Sequence, residues 1–78
     1  MNPEFYLILN SDELTEELEN AVYEAGFDDS SLTMRGRAAI WIRHRPGDLK
    51  QVIRESLEQA KQGGLSVSHV EMESEVFA

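Results

Sequence analysis

Five consecutive residues, Phe5-Tyr6-Leu7-Ile8-Leu9, are apolar on both faces that a strand would present. Strand side chains alternate with period two, so an apolar run without alternation fits a central strand covered on both sides. The chain has 78 residues with which to supply that cover. A domain of this size buries only about 60–65 % of the surface of its unfolded chain, so its core is modest.

The residues after this strand change period. Asn10-Ser11-Asp12 offers helix caps, with a Ser11 oxygen placed to accept from an unpaired backbone amide. Asp12 and Glu13 suit the positive end of the helix expected there. Leu14, Leu18, Ala21, Val22 and Ala25 follow at helical spacing and form one apolar stripe. Gly26 is placed to end the helix, and Phe27 to fold back onto its last turn. Asp28-Asp29-Ser30-Ser31 is a turn cluster. Leu32-Thr33-Met34 predicts a short strand, Gly36 a tight hairpin, and Arg37 to Arg43 a second alternating strand. Arg45-Pro46-Gly47-Asp48 breaks that strand, and Asp48 with Gln51 resembles a capping box. Leu49, Val52, Ile53, Leu57 and Ala60 form the buried stripe of a second helix, which Gly63-Gly64 ends. Leu65 to Met72 is the last strand; its parity shifts between Val67 and Val70, which calls for a bulge or bend.

Two strand–helix–strand units in one domain over residues 1–78, with right-handed crossovers, predict an α+β ferredoxin-like βαββαβ sandwich. The four-stranded antiparallel sheet would run 4-1-3-2, with both helices on one face. If Phe5, Leu7, Leu9, Ile40 and Ile42 face the helices, then Tyr6, Ile8, Ala39 and Trp41 share the open face. An exposed apolar patch of this kind marks a contact surface, and Trp and Tyr are enriched at binding hot spots. Two covers are open to it: a partner or second copy of the chain, or the C-terminal Val76-Phe77 or a loop.

Composition narrows the function classes. There is no cysteine, so disulfides and zinc–thiolate sites are excluded. No apolar run approaches the ~20 residues of a membrane span, and Met1-Asn2-Pro3-Glu4 lacks the basic stretch of a signal peptide. The expectation is a cytoplasmic protein. The net charge is −8, which opposes binding to nucleic acid or anionic membrane. That charge is uneven: residues 1–34 carry nine carboxylates and no lysine or arginine, whereas residues 35–61 hold all seven bases. Such asymmetry predicts two faces of opposite potential.

Catalytic constellations are missing from the sequence. Only His44 and His69 are present, the first between two arginines at a strand end, the second in the last strand near serines close in sequence only. Asp28-Asp29 lacks the spaced ligands of a calcium loop, and the glycines form no phosphate-binding pattern. Neither an enzymatic activity nor a cofactor or metal is expected. Arg35-Gly36 partly matches the opening of an RNA-recognition motif, but Arg37, Ala39 and Ile42 stand where its stacking aromatics belong. Direct nucleic-acid binding is not expected either.

Glu13, Glu17, Asn20 and Glu24 recur at helical spacing on the first helix, with Glu16 beside them. They read as a solvated face or as an acidic surface offered to a basic partner, which opposite charge would steer.

The stretch Asp12-Glu13-Leu14-Thr15-Glu16-Glu17-Leu18, with Ala21-Val22-Tyr23-Glu24-Ala25-Gly26-Phe27-Asp28-Asp29 and Leu32, resembles the N-terminal acidic ferredoxin-like module of small bacterial helix-turn-helix regulators. In that group the module continues into a DNA-binding helix-turn-helix. The sequence to Ala78 is expected to be the module without it. The resemblance is one of helix, cap and turn and brings no catalytic residues with it. The functional expectation is a small acidic, non-enzymatic protein-interaction module. It would be an inhibitor, of the anti-CRISPR kind among others, or an antitoxin- or regulator-like protein of a phage or mobile element. It would act by dimerising or by binding another protein, including a basic nucleic-acid-binding one. The alternative is a regulatory ferredoxin-like domain that binds a small ligand.

Overall fold

A computed structural model describes residues 2–72. The elements are β1 (Phe5–Leu9), α1 (Glu16–Glu24), β2 (Ser31–Met34), β3 (Ala38–Ile42), α2 (Leu49–Gln62) and β4 (Val67–Glu71). They form an α+β fold with one four-stranded antiparallel sheet in the order β2-β3-β1-β4, which is 4-1-3-2 counted from the opposite edge.

β1 is central and buried along its whole length, as its unbroken apolar run requires. Phe5, Leu7 and Leu9 join Ala38, Ile40 and Ile42 of β3 on one sheet face, and Val22 of α1 with Val52 and Ala60 of α2 pack onto them. Phe27 closes this core from the α1–β2 turn. Its backbone N–H donates to the Val22 carbonyl, as a chain folding back after a helix would. Gly26, at φ +95°, makes that reversal possible without Cβ strain. Along β4 the register slips between the partners of Ile8 and Leu9. The slip keeps both Val67 and Val70 against the helix-side core despite their odd spacing.

The first helix begins later than its sequence predicts. Thr15, not Ser11, is the N-cap, its hydroxyl accepting from Leu18 N–H at 3.1 Å. Ser11 is committed elsewhere: its carbonyl accepts the Ala38 N–H at 2.9 Å, and its hydroxyl donates to the Glu13 carbonyl. That bond ties residue 11 to the start of β3 and keeps it out of helical geometry. Leu14 therefore leaves the apolar stripe and stands exposed. The second cap is half as expected. Asp48 accepts from Gln51 N–H, but the Gln51 side chain donates to Glu55 instead of returning to the cap.

The helices meet tightly at their C-terminal ends. A methyl group added at Gly63 would overlap the Cβ of Ala25 and lie 3.2 Å from its Cα. Gly63→Ala is therefore expected to lower stability by about 1–3 kcal/mol, since a packed backbone must move to admit it. Urea unfolding at equilibrium measures this loss; an unchanged midpoint would show that the helix ends separate freely.

Candidate functional site

The sheet face opposite the helices holds the second apolar cluster, Tyr6, Ile8 and Ala39 with Trp41 packed on it. The expected open patch is absent. Tyr6, Ile8 and Ala39 are 5, 1 and 0 % accessible, and only Trp41 is partly exposed. The two rings stack with centroids 5.7 Å apart. The Arg35 guanidinium lies 4.1 Å over the Tyr6 ring and that of Arg43 3.8 Å over Trp41. The indole N–H of Trp41 donates to Glu4 at 2.9 Å. Strand alternation places residues on a face but says nothing of long side chains that fold across it from a hairpin or a strand end. The cover expected from Val76-Phe77 lies outside the described residues.

On the same face Arg35 reaches Glu71 at 3.3 Å, and His69 Nε2 lies 2.8 Å from the other oxygen of that carboxylate. A carboxylate only accepts, so Nε2 carries the hydrogen, and Nδ1 meets the Ser68 hydroxyl at 3.0 Å. The His69 hydrogen bond is the largest influence on Glu71; desolvation opposes it, and the Arg35 hydrogen bond and the charges of both partners add to it, so that the pKa lies below its ordinary 4.5. The unfolded chain then binds more protons than the folded one as the pH drops toward and below that ordinary value. Stability from this group is complete above 4.5 and is lost as pH falls through the lower folded value. Glu71→Gln is expected to flatten the acid side of a stability–pH profile measured by urea unfolding; an unaltered acid slope would contradict it.

α1 carries the other predicted surface. Glu16, Glu17, Asn20 and Glu24 are exposed on it, as is Glu19. Glu13 precedes the helix and is exposed in the loop, so it does not share the helical face expected for it. Among the described residues, none of these five glutamates is in an ion pair or a side-chain hydrogen bond. The arginines near the sheet are occupied elsewhere. Arg37 donates to Asn10 and lies 3.8 Å from Asp12, Arg35 pairs with Glu71, and Arg45 pairs with Asp29.

Asp28 and Asp29 divide in role. Asp29 takes two bonds from Arg45, at 2.9 and 3.1 Å. The same guanidinium donates to Ser56 and Gln59 of α2, and Gln59 in turn donates to the Ala25 carbonyl. This network locks the α1–β2 turn, the end of β3 and α2 together. The Arg45 hydrogen bonds hold the Asp29 pKa below its ordinary 3.8. Asp28 is exposed and lies beside a groove lined by Glu19, Asn20, Tyr23, Phe27 and Leu32. Tyr23, 67 % accessible, is the residue that the sequence reading passed over. Its signal was present: an aromatic four residues after Glu19, off the apolar stripe of its helix.

No three-residue cluster of metal-ligating side chains occurs among the described residues, and no described helix is long and apolar enough to cross a membrane. Comparison with family models, with curated proteins and with solved structures gives no match.

Proposed function

We propose that this chain is a non-enzymatic protein-interaction module of ferredoxin-like fold, an inhibitor or regulator that binds a basic partner protein through the outer face of α1. Folding accounts for only part of this concentration of charge. Glu16, Glu17 and Glu19 lie in the first turn, where the helix dipole favours them. Glu24 lies in the last residue of the helix, where the dipole disfavours a carboxylate, and that turn holds no base. It also has no ion-pair partner among the described residues. This residue is the observation that carries the reading: a carboxylate kept at the wrong end of a helix, on a face of its own sign, fits a surface selected for what it meets. Such a face raises the rate at which a basic partner docks.

Stability and binding should therefore move in opposite directions at Glu24. Glu24→Lys is expected to stabilise the free protein by about 0.3–1 kcal/mol, because the cation now suits the helix end. The same substitution, combined with Glu16→Lys and Glu17→Lys on the same helix, should abolish retention of the partner by the immobilised chain, and wild-type retention should fall as salt rises. Undiminished retention by the triple variant would exclude the acidic face as the contact surface.

A further inference from the structure

We infer that the free edge of β2, beside the Tyr23 flank of α1, takes up an extended basic segment of the partner protein as a fifth strand. This inference rests on the acidic-face reading and adds to it the mode of binding.

The two margins of the sheet differ. β2 and β4 are both edge strands, each paired on one side only among the described residues. An edge presents a row of unpaired N–H and C=O groups, and proteins guard such rows with charges, prolines or bulges. β4 is guarded: its register is broken, and it carries His69 and Glu71. β2 reads Ser-Leu-Thr-Met, with no charge, no proline and no register break. An unguarded edge is suited to strand addition, in which main-chain hydrogen bonds supply affinity and pockets for alternate side chains supply specificity.

Such a pocket adjoins this edge. The groove beside Leu32 of β2 has a volume of about 330 Å³ and is bounded by Glu19 and Tyr23 on α1 and by Phe27 and Asp28 on the turn. A strand laid along β2 would send every second side chain toward it. An arginine or lysine there would rest its aliphatic stem on Tyr23 and end near two carboxylates that have no ion-pair partner among the described residues. The same charges speak against a second copy as the occupant. Pairing two β2 edges would bring two α1 helices together across a chain of net charge −8, like sign against like. The occupant that fits is a basic segment in extended conformation.

The test uses the whole chain and a fluorescent peptide that alternates arginine with valine, read by anisotropy. A second peptide has the same sequence with alternate backbone amides N-methylated, which removes edge hydrogen bonds but keeps the charge. The expected result is salt-sensitive binding of the first peptide, about tenfold or more weaker binding of the second, and a comparable loss with Tyr23→Ser or with Glu19→Lys plus Asp28→Lys. Equal binding of both peptides would overturn strand addition. So would absence of binding by the first, or assembly of the chain into β2-paired dimers. The broader reading fails separately: it falls if the Glu16→Lys, Glu17→Lys, Glu24→Lys variant keeps its partner. If that variant loses both peptides while wild type binds them equally, the acidic face stands and the fifth strand does not.

Discussion

Arg45→Ala is expected to lower the unfolding free energy by about 2–3 kcal/mol, the scale of a broken set of charge-assisted hydrogen bonds. The residue makes four: two to Asp29, one to Ser56 and one to Gln59. Ser56 is fully buried, so water does not replace the lost donor there without cost. Asp29 is partly open to solvent, with 43 % of its side chain accessible, which keeps the loss below the ~3–5 kcal/mol of breaking a fully buried pair. For a domain of this length the midpoint of thermal unfolding should drop by about 10–20 °C. Arg45→Lys should recover less than half of this, because an ammonium cannot serve Asp29 bidentately and α2 at once. The pH dependence gives a second reading. Asp29 is held below its ordinary 3.8 chiefly by its hydrogen bonds from Arg45. Its contribution is complete above that value and is lost as pH falls through the lower folded pKa, since only the unfolded chain takes up the proton in between. In Arg45→Ala that part of the acid limb should flatten. A variant with wild-type stability and an unchanged acid limb would mean that the network is ornamental.

Phe27→Ala should cost more, about 3–5 kcal/mol, the range for deleting a buried phenylalanine. The ring is 2 % accessible and joins the main core directly after the glycine that ends α1. The total stability expected of 78 residues is about 4–12 kcal/mol, so this one substitution removes a large share of it. Near-ultraviolet circular dichroism with urea unfolding would show it, as a broadened transition at lower denaturant. Phe27→Leu should lose less than half as much, because most of the volume is kept. The Arg45 guanidinium lies 4.9 Å from the Phe27 ring centroid, so the two losses share an interaction. The double variant should fall short of additivity by about 0.5–1 kcal/mol. Strict additivity would show that ring and guanidinium are merely neighbours.

The fold was legible because its signals are local. The unbroken run in β1, the alternation in β3 and the stripes of α1 and α2 each report period and burial within a few residues. Even the slip in β4 was visible as a change of parity between Val67 and Val70. The error at the start of α1 arose because the polar residues Asn10 to Asp12 and Thr15 can all cap a helix. Ser11 and Thr15 have similar local merit, and the hydrogen bond from Ala38 to Ser11 decides between them.

The candidate site was legible in part for the same reason. The glutamates of α1 were visible as a face, except that Glu13 falls before the helix. The sheet cluster was assigned to the right face and the wrong exposure. Tyr6, Ile8, Ala39 and Trp41 do lie together, but the stacked rings sit under Arg35 and Arg43.

What the sequence determined by itself is the order of elements, the residues turned toward the helix-side core, and the placing of nine carboxylates ahead of every base. These depend on period, propensity and count, all of which are properties of neighbours in the chain. The tertiary structure decided which charges are neutralised and which are left over. Asp29 meets Arg45 across 16 residues and Glu71 meets Arg35 across 36. The glutamates of α1 pair with no base among the described residues. Ion pairing falls away over a few ångströms, so it is fixed only once the sheet brings distant residues together. The acidic stretch read along the chain is therefore not the acidic surface, because folding neutralises part of it and leaves the outer face of α1 and the groove beside β2.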